Sequence, residues 1–255
     1  MVLPQRSITE TLSGLPGQRL NKCVCSGEDH PSPGKGRAAP EIDIIEVVGS
    51  HDKGIPGKAS QTHQIAPFDS GQLMNQAYTK IYDDSITTLN EYRGTPLQQF
   101  ASALTTVPLD VYDGKGYQTY GIEYEPGPTG YVTWLMNGKP TWRLDAAALG
   151  PNPKSKVAQR LIAAEPMYMI MNLAISTSFT ENIQWDKLVF PSIMRIDYVR
   201  LYQHPERINI GCNPPDFPTA KYINKHWNAY SNPNLTTWSQ AGYSAPPYSL
   251  SGTCP

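Results

Sequence analysis

The hexapeptide Glu41-Ile42-Asp43-Ile44-Ile45-Glu46 constrains this chain more than any other stretch. It sets three carboxylates among three isoleucines. Isoleucine is β-branched and favours extended backbone. Pro40 cannot donate to a ladder, so it suits the entry to a strand. The reading is a strand that carries acids into a partly buried surface. Burying a carboxylate costs several kcal/mol unless it is paired, hydrogen-bonded or protonated. Acids held this way imply a task.

In a regular strand Glu41 and Asp43 share a face and Glu46 points away. One extra residue, a β-bulge at Ile44-Ile45, returns Glu46 to the face of the other two. Residues two apart on a strand lie about 6.5–7 Å apart at the backbone. Flexible side chains on either side of Asp43 can therefore converge on one bond. Retaining glycosidases need two carboxyls about 5–5.5 Å apart, one to attack the anomeric carbon and one to protonate the leaving oxygen. A third acid between them can share a proton with the nucleophile. Like charges this close drive pKa values apart, as an acid and a nucleophile require. A solvated acidic edge fits poorly beside three isoleucines. A calcium loop would need a glycine turn and oxygen-rich spacing that the stretch lacks.

The segment Gly36-Arg37-Ala38-Ala39-Pro40-Glu41-Ile42-Asp43-Ile44-Ile45-Glu46 resembles the active-site strand of glycoside hydrolase family 16. More narrowly, it is similar to the fungal β-glucan synthesis-associated proteins of the Kre6/Skn1 type. Cys23-Val24-Cys25-Ser26-Gly27-Glu28-Asp29-His30-Pro31 before the acids and Gln64-Ile65-Ala66-Pro67-Phe68 after them carry the same resemblance. So do Glu165-Pro166-Met167-Tyr168, Ile196-Asp197-Tyr198-Val199-Arg200 and Ile210-Gly211-Cys212. The resemblance implies an all-β antiparallel sandwich, a concanavalin A-like jelly roll. It implies Glu41 as nucleophile, Glu46 as general acid/base and Asp43 as helper, with no cofactor and no catalytic metal. The polymer it implies is β-glucan, and the process fungal cell-wall β-1,6-glucan formation. A non-catalytic glucan-binding or wall-assembly protein that keeps the acids is the alternative.

Family members carry a cytoplasmic tail, a membrane anchor and several strands before the acids, whereas 40 residues precede Glu41 here. The expectation is a sandwich incomplete at its N-terminal side. Residues 1–203 would form a partial catalytic domain, with 204–255 an irregular C-terminal extension packed on it.

Composition supports the β reading: charged residues are 17%, against 24 Pro, 20 Gly and 15 Tyr among 255 residues. That is a turn-rich chain displaying aromatics. A net charge of −1 gives no electrostatic case for nucleic acid or an anionic membrane. No run of about 20 apolar residues exists to span a membrane. Met1-Val2-Leu3-Pro4 lacks the apolar region of a signal peptide. Cys23, Cys25, Cys212 and Cys254 allow three pairings. Cys23 and Cys25 are two apart, so each is expected to bond a distant partner and tie the N-terminal segment to the tail. A zinc site on Cys23, Cys25 and His30 is the rival and lacks paired C-x-x-C spacing. Asn234-Leu235-Thr236 is a glycosylation acceptor. With the cysteines it points to the secretory pathway or cell surface.

Along the chain, 49–62 reads as a loop, with Thr62–Pro67 pairing beside the acid strand. Residues 68–105 alternate weakly and read as a long loop. Strand signal returns from Pro108, with Tyr120, Ile122 and Tyr124 on one parity. Asn137-Gly138 is a strong hairpin signal. The resemblance implies that this hairpin carries a tryptophan toward sugar, so Trp134 and Trp142 are candidates, with Tyr120 beside them; core packing is the favoured reading for any single tryptophan. Within Pro166–Ala174 the apolar run Met167-Tyr168-Met169-Ile170-Met171 suits a buried strand; Asn172 follows it, where the resemblance implies an asparagine that hydrogen-bonds near the acids, with a buried amide capping a turn as the alternative. Ile193–Tyr202 reads as a long strand. Asp197 matches a family aspartate near a structural calcium, and a salt bridge with Arg195 or Arg200 is the favoured reading. A short helix is expected within Pro218–Tyr230.

Overall fold

A computed structural model of the chain describes residues 22–38, 40–49, 54–67, 74–95, 98–177 and 183–244, with short strands before residue 21 and single positions elsewhere. Phe68 lies outside the described residues. The strands are β1 (Gln5–Arg6), β2 (Leu12–Ser13), β3 (Arg19–Leu20), β4 (Arg37–Ala38), β5 (Ile42–Val48), β6 (Gly57–Ile65), β7 (Thr79–Ile81), β8 (Thr87–Leu89), β9 (Gly94–Thr95), β10 (Gln98–Val107), β11 (Tyr120–Glu125), β12 (Tyr131–Met136) and β13 (Lys139–Asp145). One antiparallel sheet runs β5-β6-β10-β8, with β9 also against β10. The other runs β11-β12-β13-β7. β1 pairs with β2 and β3 with β4 as separate ribbons. The described chain is thus mostly β, in an all-β sandwich arrangement.

Alternation explains why the two main sheets pack. On β6, Gln61, His63 and Ile65 turn toward the second sheet, where Thr141 donates from Oγ1 to Gln61 Oε1 at 2.7 Å. Ser60, Thr62 and Gln64 turn the other way. Ile65, Ala101 and Ala103 from the first sheet meet Val132, Trp134, Trp142 and Leu144 from the second in one buried cluster. The small alanines of β10 leave room for the two indoles, which stack with centroids 4.4 Å apart and planes 9° apart. The turn between β12 and β13 is Asn137-Gly138, at φ 51° and 71°. Both residues are left-handed, which the two-residue hairpin turn requires.

Several sequence expectations are corrected. Residues 49–62 do not form one loop: β6 starts at Gly57. The supposed loop 68–105 contains β7, β8, β9 and the ten-residue β10. β10 escapes a periodicity reading because Ala, Ser and Thr occupy both of its faces, as suits a strand held between β6 and β8. Pro166–Ala174 and Ile193–Tyr202 are not ladder strands. Tyr168, Met169 and Ile170 in the first, and Ile196, Leu201 and Tyr202 in the second, are exposed. An apolar run becomes a strand only where a partner offers hydrogen bonds, and none does so here among the described residues. The helical expectation holds: α1 (Ala220–Lys225) and α2 (Trp227–Ser231) lie near the C-terminus.

That C-terminal region is tied to the segment before the acids. Cys25 and Cys254 form a disulfide across 229 residues. Arg37, almost fully buried, pairs with Glu165 through Nη2 at 2.8 Å and donates from Nη1 to the Pro218 carbonyl at 2.6 Å. Asp29 takes Lys225 Nζ at 3.0 Å and His226 Nε2 at 2.7 Å.

Candidate active site

Register places the acids. Asp43 pairs with Thr62 and Glu46 with Ser60, so three steps along β5 match two along β6. One residue bulges between them. Thr62 and Ser60 share a face of β6, and therefore so do Asp43 and Glu46. Glu41 joins the same row one step earlier: its carbonyl accepts from Gln64 N at 3.0 Å. The face that carries all three acids is the one turned away from the Trp134–Trp142 core. Its neighbours on β6 are the polar side chains of Ser60, Thr62 and Gln64.

The electrostatics separate the acids into roles. Asp43 is pushed up to about 8, first by burial, then by a side-chain hydrogen bond and charge repulsion from Glu41. Gln64 opposes this by donating from Nε2 to Asp43 Oδ2 at 2.9 Å. Asp43 is thus a protonated acid near neutrality, able to donate to Glu41. Glu46 is pushed up to about 7, chiefly by desolvation and further by the neighbouring Asp43 carboxyl. It remains exposed to solvent along the sheet surface. A half-protonated carboxyl beside a proton-sharing pair can deliver and recover a proton at neutral pH.

The backbone under the acids is held from behind. Trp134 donates from Nε1 to the Asp43 carbonyl at 2.9 Å. This ties the indole core to the residue that begins the bulge.

The other sequence candidates fall elsewhere. Trp134 and Trp142 are fully buried between the sheets, so the expectation that they meet sugar is corrected. Their alternation places them opposite Gln61 and the alanines of β10, and no ring face is left for a ligand. Tyr120 lies on the intersheet side of β11 (it pairs with Met136), half-buried and pushed up to about 12 by burial and by Tyr112. It is therefore not on the acid face. Asn172 is exposed on the unpaired segment, and no hydrogen bond among the described residues ties it to the acids. Asn234 is exposed in the turn after α2. The disulfide on Cys25 removes the zinc reading, since a bridged sulfur is no thiolate ligand. Cys212 is an exposed thiol. Among the described residues no group of three or more His, Cys, Asp or Glu is placed to hold a metal ion. No described helix is long and apolar enough to cross a membrane. Gln64 was missed as a site residue. Its signal was its place opposite Glu41 once a two-stranded register is drawn.

Residues 1–254 match the family described as beta-glucan synthesis-associated protein SKN1/KRE6/Sbg1. The chain belongs to that family. It is 42% identical over 258 residues to the beta-glucan synthesis-associated protein KRE6 of Saccharomyces cerevisiae, covering 99% of this chain and 35% of the relative. It is 43% identical over 260 residues to KRE6 of Candida albicans, covering 98% of this chain and 35% of the relative. SKN1 of Candida albicans is 42% identical over 256 residues, with 98% of this chain and 34% of the relative covered. The chain thus spans about a third of the length of these relatives. No solved structure matches.

Proposed function

We propose that the acid strand works as the catalytic centre of a retaining β-glucan glycosidase or transglycosylase of the glycoside hydrolase family 16 type. The observation that carries the reading is the bulge between Asp43 and Glu46, which sets three acids on one sheet face. Glu41 attacks the anomeric carbon through a carboxylate oxygen while Glu46 gives its proton to the departing glycosidic oxygen. The C–O bond breaks and a glycosyl ester on Glu41 forms. Glu46, now a carboxylate, takes a proton from water or from a hydroxyl of a second glucan. That oxygen attacks the anomeric carbon and releases Glu41. Asp43 holds Glu41 in line through the shared proton and takes up part of the charge change. The order of the two glutamates rests on the family resemblance.

The substrate in this reading is a neutral β-glucan, and the process cell-wall β-1,6-glucan formation. The oxidised Cys25–Cys254 pair and the exposed acceptor Asn234 support a secretory or cell-surface setting. The test is incubation of the purified chain with β-1,3- and β-1,6-linked glucan oligosaccharides, reading cleaved and transferred products, for the parent and for Glu41→Gln. Products from the parent that vanish in the variant support the assignment. Equal turnover in both removes Glu41 as nucleophile. Binding without products in either supports a glucan-binding protein instead.

A further inference from the structure

The acid face carries an aromatic pair to which neither the chemistry above nor the sequence reading gives a role. Gln64, which touches Asp43, pairs across β6 and β10 with Phe100. Gln64 also faces Glu41 on its other side, through the hydrogen bond to the Glu41 carbonyl. Glu41, Gln64 and Phe100 therefore stand in one row across three strands, with their side chains on one face. At about 4.8 Å per strand, Phe100 lies roughly 9.6 Å from Glu41 at the backbone, across the strand direction. Tyr92 meets Phe100 edge-on, with centroids 5.4 Å apart and planes at 69°. Phe100 is partly buried, while Tyr92 is 58% exposed.

The tyrosine is held in position. Its backbone N donates to Asn90 Oδ1 at 3.1 Å. On either side of it, Asn90 N donates to the Ser102 carbonyl at 3.0 Å, and Phe100 N donates to the Arg93 carbonyl at 3.1 Å. The loop from 90 to 93 is thus pinned to β10 at both ends. An exposed aromatic on a fixed loop loses little side-chain entropy on binding, because a tyrosine has only two χ angles to fix.

We infer that Tyr92, supported by Phe100, is a distal binding subsite for a glucosyl unit beyond the two that flank the bond cleaved over Glu41 and Glu46. The inference rests on the glucan-active reading of those acids. The chemistry is that of a neutral sugar: the C–H face of a β-glucosyl ring is apolar enough to lie on an aromatic face, and its hydroxyl edge stays hydrated. The row geometry gives the direction. A glucan bound across the strands, with one linkage at Glu41, carries its neighbouring units past Gln64, which is itself almost fully buried, toward the exposed ring of Tyr92.

Two readouts on one set of proteins test this: the parent, Tyr92→Ala and Tyr92→Phe. Binding of β-glucan oligosaccharides of increasing length is measured by calorimetry, which needs no turnover. Steady-state kinetics follow on the same oligosaccharides. Tyr92→Ala should weaken binding of the longer oligosaccharides roughly tenfold or more, the loss typical of a truncated aromatic anchor. It should leave binding and turnover of the shortest cleavable one unchanged. Tyr92→Phe, which keeps the ring, should bind like the parent. A loss equal for short and long ligands, or no loss for long ones, overturns the subsite. Parent protein that binds in this length-dependent way without any turnover keeps the subsite and removes the catalytic reading. Thermal melting of each variant within about 2 °C of the parent shows that the fold is not what changed.

Discussion

Trp142→Ala separates the two roles open to the paired indoles. Trp142 is fully buried and stacks on Trp134 with centroids 4.4 Å apart. Truncating a fully buried tryptophan costs about 3–5 kcal/mol through lost transfer energy and the cavity left behind. The stacked pair adds about 0.5–1.5 kcal/mol to what the area alone supplies. For a chain of this size each kcal/mol moves the melting temperature by about 2–4 °C. The expected drop is therefore roughly 7–26 °C. Typical domains hold about 5–15 kcal/mol, so a folded population remains for kinetic work at low temperature. Thermal melting followed by near-UV circular dichroism reads the stability. Oligosaccharide kinetics at about 10 °C below the new midpoint read the site. The core role predicts a large loss of stability and an unchanged KM for the molecules that stay folded. A melting point within about 2 °C of the parent, with glucan affinity lost, refutes the packing argument and restores the indole as a sugar platform. Trp134→Phe refines the test. It keeps an aromatic but removes the bond to the Asp43 carbonyl, so kcat should fall while KM holds.

Three further outcomes follow from the site and its ties. Glu46 must carry a proton to act as an acid, so kcat/KM should fall as pH rises through about 7; Glu46→Gln should abolish that alkaline limb on substrates with good leaving groups. The raised carboxyls also make stability pH-dependent. The folded chain holds protons on Asp43 up to about 8 and on Glu46 up to about 7, which the unfolded chain releases near 4. Their contribution is complete below that range and is lost as pH rises through 7–8. Unfolding free energies from urea titrations should therefore fall from pH 5 to pH 8.5, by on the order of a few kcal/mol in total, and Asp43→Asn should flatten most of the slope. Finally, Cys254→Ser opens a loop closed over 229 residues; the expected loss is about 2–5 kcal/mol, read by denaturation of parent and variant without reductant.

The acid strand was legible because side-chain parity is a strict rule: three acids at 41, 43 and 46 share a face only with one extra residue. The register has that residue between Asp43 and Glu46. The Asn137-Gly138 hairpin was legible because few residue pairs accept two left-handed positions in succession. β10 was not, since a strand of small residues with neighbours on both edges shows little polar alternation. The role of the indoles is ambiguous in sequence for a related reason. The sequence gives their parity but not which side of the sheet is covered. Only the Gln61–Thr141 bond and the buried alanines of β10 identify that side as the core. Pro166–Ala174 and Ile193–Tyr202 show the limit of propensity. Their residues favour extended backbone, but a ladder needs a partner strand that local sequence does not name. Arg37 and Glu165 lie 128 positions apart, and nothing local in either motif pairs them.

In the proposed mechanism Glu41 becomes covalently glycosylated on the face it shares with Asp43 and Glu46. A 2-deoxy-2-fluoro glucoside with a good leaving group slows the breakdown of such an ester and lets it accumulate. Peptide mass spectrometry of the treated chain then reads the modified residue. The mechanism requires one added fluoroglucosyl group, on the peptide spanning the acid strand and localised to Glu41, absent after Glu41→Gln. Glucan cleavage with Glu41 unmodified, or a label on another residue, contradicts it.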